Sequence, residues 1–262
     1  MQVIKSKDNP LVKQFVSLIE NRKEREKQGL FVIEGLRFCK DAVLRKAFVK
    51  TVLLSEDFVS ENGEYVDLFM QNSSDVRMIS KAVSDKIGST VNSQGVFCLC
   101  QMPSFAEKIE GNKIIVLENL QDPGNMGTII RTAEAFGVNG IILVGGCVDI
   151  FSPKVLRSTM GTIFNVPIFR FSDIEKAKEF LEKYKFNLYG AILDKNSKKL
   201  SKLNFNGNTA IMIGNEANGI SEKAKNACDD FVFIEMSGNA ESLNAAIAAS
   251  VFMWELQKND LG

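Results

Sequence analysis

The chain reads as an α/β protein in two parts, a small N-terminal α/β domain and a larger C-terminal domain built on a parallel sheet covered by helices. Three observations predict this. Strand-like and helix-like apolar patterns alternate along the sequence. The apolar runs of the second part are continuous, as in strands buried on both faces. Between the parts, MPSFAEKIEGN breaks the pattern with a proline, charges and a glycine, and holds nothing apolar enough to be a core element. The expected boundaries are 1–102, a linker over 103–112, and 113–262.

In the first part, Asn9-Pro10 opens an amphipathic helix with Leu11, Phe15, Leu18 and Ile19 at helical spacing, until charge takes over near Asn21. After Gly29 the pattern gives a strand LFVIEG, a helix from about Leu36 to Lys46, a strand TVLLS, a helix around Tyr65 to Gln71, and the strands VRMIS and VFCLC. In the second part, KIIVLENL, GIILVGG, NVPIFRF, FNLYGAIL, TAIMIG and FVFIEM read as short buried strands. Helices are expected around Met126–Phe136, Pro153–Met160, Asp173–Tyr184, Ser221–Asn226 and Ser242–Gln257.

Composition narrows the chemistry. The 262 residues contain no histidine, which removes imidazole catalysis, most catalytic zinc sites and every Ser-His or Cys-His pair. The five cysteines are odd in number, lack CxxC spacing and mostly lie in apolar runs, so they read as core, not as a disulfide framework. No apolar stretch approaches a membrane span and the start, MQVIKSKDNP, is polar, so a soluble, cytoplasmic protein is expected. Net charge is zero but uneven: residues 1–50 carry 12 Lys or Arg against 6 Asp or Glu, and residues 51–112 carry 4 against 9. The basic run NRKEREK suits either a solvated helix surface or an RNA-facing one.

Ligands of open α/β sheets collect at the carboxyl ends of strands, and three loops there hold unusual residues. In ENLQDPGNMGTIIRTAEAFGV, turn chemistry at Asp122-Pro123-Gly124 leads to Asn125, a good N-cap, so the following helix presents its N–H groups as an anion site. Arg131 offers a planar donor fork to the same space, or pairs with Glu134. In IMIGNEANGIS two glycines bracket Asn215, Glu216 and Asn218, suiting close backbone approach or a plain strand-to-helix turn. In FIEMSGNAESLNAAIAASVFMWELQ a glycine-containing loop enters a helix opened by Ser242, Leu243 and Asn244, whose small residues favour close packing against another backbone or a second subunit. No GxGxxG, no GxxxxGK[ST] and no metal-ligand spacing occurs, against nicotinamide enzymes and P-loop NTPases.

Taken in order, DPGNMGTIIRTAEAFG, IMIGNEANGIS and MSGNAESLNAAIA resemble the three motifs of the SpoU/TrmH family of RNA ribose methyltransferases, within the SPOUT superfamily, over roughly residues 113–258. FVIEGLRFCKDAV is similar to the N-terminal substrate-binding domain of the family's ribosomal-RNA members. The resemblance implies a deep trefoil knot near the C-terminus, a homodimer formed through it, and S-adenosylmethionine bound within it, with no metal. By matched position, Gly214, Asn215, Gly219, Ile234, Met236 and Leu243 would contact the cofactor. Asn125, Arg131, Glu216, Ser242 and Asn244 would form the catalytic constellation, and Arg157, Asn125 and Arg37 would meet RNA. The implied reaction is methylation of a ribose 2'-hydroxyl, in ribosomal RNA and, within it, a 23S guanosine. A transfer-RNA enzyme and a catalytically silent RNA-binding or ribosome-assembly protein are the alternatives.

A ribose hydroxyl is a very weak acid, so such a site must favour its alkoxide and align it with the methyl donor. The family view makes the motif-one arginine a general base. A guanidinium with a pKa above about 12 stays protonated, so Arg131 is expected instead to grip the neighbouring phosphate and stabilise the oxyanion, with Asn125 and Glu216 holding its orientation. Three positions depart from the family pattern: Glu235 where a proline is common, Ala217 for a frequent glycine, and Thr159 for a frequent serine, the last bearing on RNA contacts.

Overall fold

A computed structural model describes residues 3–44, 49–89, 93–194, 196–239 and 242–258. Its contacts form two compact units, Met1–Ser104 with Phe151–Gly161, and Phe105–Ile150 with Thr162–Gly262.

The first unit begins with β1 (Val3–Ile4), α1 (Pro10–Glu20) and α2 (Arg22–Gln28). Proline at the first helical position costs no hydrogen bond, and the Asn9 side chain accepts the Leu11 N–H at 2.9 Å, so α1 starts where expected. The NRKEREK run forms α2, closed by Gly29 at φ +62°. One of its arginines faces neither solvent nor RNA: buried Arg25 donates through Nη1 to the Leu18 and Ile19 carbonyls, at 2.5 and 3.0 Å, satisfying the C-terminal end of α1. Then come β2 (Leu30–Glu34), α3 (Leu36–Leu44), β3 (Val49–Ser55), α4 (Glu56–Glu61), α5 (Gly63–Asn72), β4 (Val76–Ile79), α6 (Lys81–Ile87) and β5 (Val96–Gln101). The expected extension of α3 to Lys46 lies outside the described residues.

The sheet order is β1-β4-β3-β5-β2, with β2 and β3 antiparallel to β5 and the remaining pairs parallel. One face packs Phe97, Leu99, Leu53 and Val32 under Val12, Phe15 and Leu18 of α1 and Val83 and Ile87 of α6. Cys39 of α3 reaches the Ile33 and Val96 carbonyls through its thiol. The cysteines are free, and Cys39, Cys98, Cys100 and Cys147 are buried. Burial pushes the Cys98 and Cys100 thiols well up, which keeps them protonated and unreactive.

The second unit holds β6 (Lys113–Glu118), α7 (Pro123–Ala135), β7 (Gly140–Val144), β8 (Ile168–Phe171), α9 (Ile174–Lys183), β9 (Asn187–Ala191), β10 (Lys198–Lys199), β11 (Thr209–Ile213), α10 (Glu222–Ala227), β12 (Asp230–Phe233) and α11 (Ala245–Lys258), while α8 (Pro153–Thr159) packs with the first. Its seven strands run parallel in the order β10-β12-β9-β11-β6-β7-β8. All described residues of β6, β7 and β11 are buried, as continuous apolar runs demand.

Two expectations need correction. The stretch over 103–112 is irregular, yet Ile109 is buried in the second unit's core with Ala106 packed beside it, and the Ala106 N–H donates to the Ile168 carbonyl. One isoleucine among polar residues gives no period to read. The segment Phe151–Gly161, expected to belong wholly to the second part, joins the first unit: Phe151 packs tilted against Phe31 at 4.8 Å between ring centroids, and Arg157 donates to the Ser89 hydroxyl at 2.8 Å.

Candidate active site

Because the second sheet is wholly parallel, the carboxyl ends of β6, β11 and β12 lie along one edge, and the three loops noted in the sequence meet there. Buried Glu118, the last residue of β6, accepts the Ser221 N–H and hydroxyl at 2.8 and 2.6 Å. Asn119 follows with φ +52°; its carbonyl accepts from the Asn215 amide at 2.9 Å and its side-chain oxygen from the Gly146 N–H at 2.8 Å.

The N-cap of α7 is Asp122, not Asn125. The Asp122 carboxylate accepts the Asn125 N–H at 2.7 Å, and Pro123 takes the first helical position. Both residues are capping types, but with proline next to it Asp122 wins, and Asn125 is freed for a different task. The expected anion site is filled from within: Glu216 accepts the Gln121 and Asp122 N–H groups at 3.2 and 3.0 Å and the Asn125 amide at 3.0 Å. The Asn125 oxygen accepts from the Asn244 amide at 2.9 Å, and the Asn244 oxygen caps α11 through the Ala246 and Ile247 N–H groups at 2.9 and 3.3 Å. A carboxylate only accepts, so the direction of this Asn244–Asn125–Glu216 chain is fixed. The last helix therefore begins at Ala245, with Asn244 as its cap, and Ser242 stands ahead of it, exposed.

Burial raises the Glu216 carboxyl, but the Asn125 amide and the backbone N–H groups of Glu216, Asp122 and Gln121 together outweigh it, so the net shift is downward from 4.5. A lowered folded pKa contributes stability that is present above the ordinary carboxylate value and lost as pH falls through the lowered one. Melting curves of wild type and Glu216→Gln should differ by a constant amount above about pH 5.5 and converge on acidification below 4.5. A gap independent of pH down to about 3 would contradict an ionic role.

Arg131 stands apart from this chain. It lies on the exposed side of α7, and among the described residues its side chain makes no hydrogen bond or ion pair. Asn125 and Glu216 are engaged with each other and do not hold its orientation, and Glu134 accepts from Asn165, not from Arg131. Asn125 is only 9% exposed with both sides of its amide occupied, which suits a bridge better than an RNA contact. Arg157 is exposed but bonded to Ser89, in the first unit with exposed Arg37. Thr159 is fully buried with its hydroxyl on the Leu156 carbonyl, so its departure from serine does not bear on RNA.

A cavity of about 370 Å³ opens beside the loops, lined by Ala191, Ile192 and Leu193 at the end of β9, by Val232, Phe233, Ile234 and Met236 at the end of β12, and by Ser242, Leu243, Ala248 and Phe252. It brings together the expected Ile234, Met236 and Leu243, with Ser242 of the catalytic set. Gly214, Asn215 and Gly219 are not among its lining residues; they form the loop after β11, where Asn215 and Gly219 exchange N–H···O bonds at 2.9 Å. Residues 191–193 escaped the sequence reading; their only signal was their place at the end of a parallel strand. Volume, apolar walls and nearby backbone ends suit an adenosine-sized cofactor.

A model of the SpoU rRNA Methylase family matches residues 112–254, more than half of the chain. The chain belongs to that family. A model of the MRM3-like substrate binding domain matches residues 9–98 of this SpoU-family protein. It is 29% identical over 258 residues to the 23S rRNA (guanosine(2553)-2'-O)-methyltransferase RlmP of Bacillus subtilis, covering 98% of this chain and 100% of that one. It is 34% identical to an uncharacterized tRNA/rRNA methyltransferase of Synechocystis, over 97% of this chain and 93% of the relative. Among solved structures, an AdoMet-bound rRNA methyltransferase from Sinorhizobium meliloti superposes with a TM-score of 0.87 at 28% identity, covering 100% of this chain and 99% of that one. AviRb of Streptomyces viridochromogenes with AdoMet gives 0.86 at 26%, covering 97% and 99%. The protein is an S-adenosylmethionine-dependent RNA methyltransferase of mixed α/β fold. None of its described helices is long and apolar enough to cross a membrane.

Proposed function

We propose that this SpoU-family enzyme methylates a ribose 2'-hydroxyl of a guanosine in 23S ribosomal RNA, with residues 1–102 binding substrate and 113–262, apart from the Phe151–Gly161 segment that packs with the first unit, carrying out transfer. The observation that carries this reading is the Asn244–Asn125–Glu216 chain, which joins all three motifs beside an apolar cavity. End-to-end similarity to RlmP supports the substrate.

S-adenosylmethionine supplies an activated methyl group. In the proposed division of labour, Ile234, Met236 and Leu243 hold it against the cavity wall, with Gly214, Asn215 and Gly219 closing the adjoining side. Ser242 sits at the rim, and the bridged asparagines and Glu216 fix that rim. Arg131, charged and without a protein partner among the described residues, grips the phosphate next to the target ribose and stabilises the developing oxyanion. The proton leaves through that phosphate or water. Arg37 and Arg157 would take further phosphates, Arg157 by exchanging its bond to Ser89. A trefoil knot is part of the proposal, supported by β11 lying between β6 and β9 and by Gly214 pressed on the Gly219 backbone. So are a cytoplasmic location and a homodimer, the latter supported by Ile247 and Trp254, 54% and 46% exposed on α11.

The test is transfer of labelled methyl from S-adenosylmethionine to purified ribosomal and transfer RNA, read as alkali-resistant dinucleotides. Label in resistant dinucleotides of 23S RNA is expected. Label in transfer RNA alone would reassign the substrate, label on bases would reject ribose transfer, and cofactor binding without transfer would favour an RNA-binding protein.

A further inference from the structure

We propose that Lys199 and Lys202, positioned by a Glu235–Ser201 clamp, bind the RNA backbone beside the cofactor cavity. The proposal rests on the reading of this protein as an RNA methyltransferase and adds a contact surface on the second unit.

The cavity wall is made by residues at the ends of β9 and β12. At the sheet edge β10 pairs with β12, setting Lys198 opposite Val232 and Lys199 opposite Phe233, both cavity-lining residues. The lysines of this edge differ in state. Lys198 is paired with Asp230. The side chains of Lys199 and Lys202 are exposed and, among the described residues, make no hydrogen bond or ion pair.

Their backbone is held. The Asp194 N–H donates to the Ser197 hydroxyl at 2.9 Å and the Asn196 N–H to the Asp194 carboxylate at 3.1 Å, closing the turn before β10. Ser201 lies in a single helical turn, Leu200–Lys202, and donates its N–H and hydroxyl to the two oxygens of Glu235 at 3.0 and 2.5 Å. Glu235 sits between the cavity residues Ile234 and Met236, so the clamp joins the cavity wall to the lysine-bearing turn. Its carboxyl is held below the ordinary range by the Ser201 side chain and backbone, with Lys199 contributing. A proline at this position, the residue the family resemblance leads one to expect, makes neither bond. Among the described residues of this edge, Asp230 is on Lys198, Asp194 in its turn and Glu235 on Ser201. Lys202 therefore faces solvent as a cation without an acidic partner among the described residues, and Lys199 is offset there by the carboxylate already bound to Ser201. The target ribose must reach the cavity mouth, and its flanking phosphates carry the complementary charge. Such contacts supply affinity and salt dependence without reading sequence.

The experiment uses the full chain with 23S ribosomal RNA, measuring RNA binding and methyl transfer at several salt concentrations, and S-adenosylmethionine affinity by calorimetry. Lys199→Ala with Lys202→Ala should raise RNA Kd and KM about 10-fold and reduce the salt slope by about 2, with cofactor affinity and kcat unchanged. Ser201→Ala should raise RNA KM roughly 3-fold while leaving the salt slope nearly intact, because every charge remains and only the placement of the lysines loosens. Unchanged RNA Kd and salt slope in the double variant, or a loss confined to cofactor affinity, would overturn the proposal. Wild-type protein that binds RNA without methylating it would sink the functional reading, while the binding arm would still decide the lysines.

Discussion

Arg131→Ala should lower methyl transfer to RNA by about 100- to 1000-fold, the loss typical of one preorganised donor at a developing oxyanion, with little change in melting temperature. The second half of that expectation comes from the structure. Arg131 is exposed, and no described residue bonds to it, so truncation leaves no buried group unsatisfied. Arg131→Lys keeps the charge and loses the planar fork, and should recover only a small part of the rate. Single-turnover transfer measured beside thermal melts separates the alternatives. Near-normal turnover in the lysine variant would show that charge alone suffices, and near-normal turnover in the alanine variant would remove Arg131 from the chemistry.

Gly214→Ala should produce the largest effect on the cofactor loop. A Cβ at this position would stand 2.2 Å from the Gly219 carbonyl carbon and 2.3 Å from its oxygen and from the Ile220 nitrogen. These are backbone atoms that no rotamer change can move aside. Overpacking of this kind costs about 1–3 kcal/mol, or roughly 2–12 °C in a unit of this size, and S-adenosylmethionine binding should fall with it. Gly219→Ala is the control. Nothing lies within 4 Å of its Cβ, and the cost there comes only from φ +65°, about 1–2 kcal/mol. Equal melting temperatures for Gly214→Ala and wild type would mean that the two chain segments are free to separate.

What the sequence revealed followed physical contrast. Continuous runs such as KIIVLE and TAIMI stand out because both faces of those strands are buried, and Asn9-Pro10 marks the start of α1 because cap and proline agree. Where two signals compete, sequence alone does not choose. Asp122 and Asn125 are both capping residues three apart, and only the structure shows that the aspartate caps while the asparagine bridges Glu216 and Asn244. Short elements were missed for want of a period: β1 and β10 have two residues each, and α4 and α6 one or two turns. Ala191, Ile192 and Leu193 line the cavity with ordinary strand residues, so nothing in their chemistry advertises the role. Arg25 shows the converse, an apparent surface charge whose partners are carbonyls six and seven residues back.

The strand order has a consequence for biosynthesis. β6 is flanked by β7 and by β11, and the bonds that build the rim join residues 96, 103 and 119 positions apart. Pairing across such separations closes long loops and is slow. The nascent chain carries Asn125 well before Asn244 is translated, and until then the bridge has no second anchor. Thus the rim cannot be completed strand by strand: it waits for the chain around Asn244, and closes only once α11 has been synthesised.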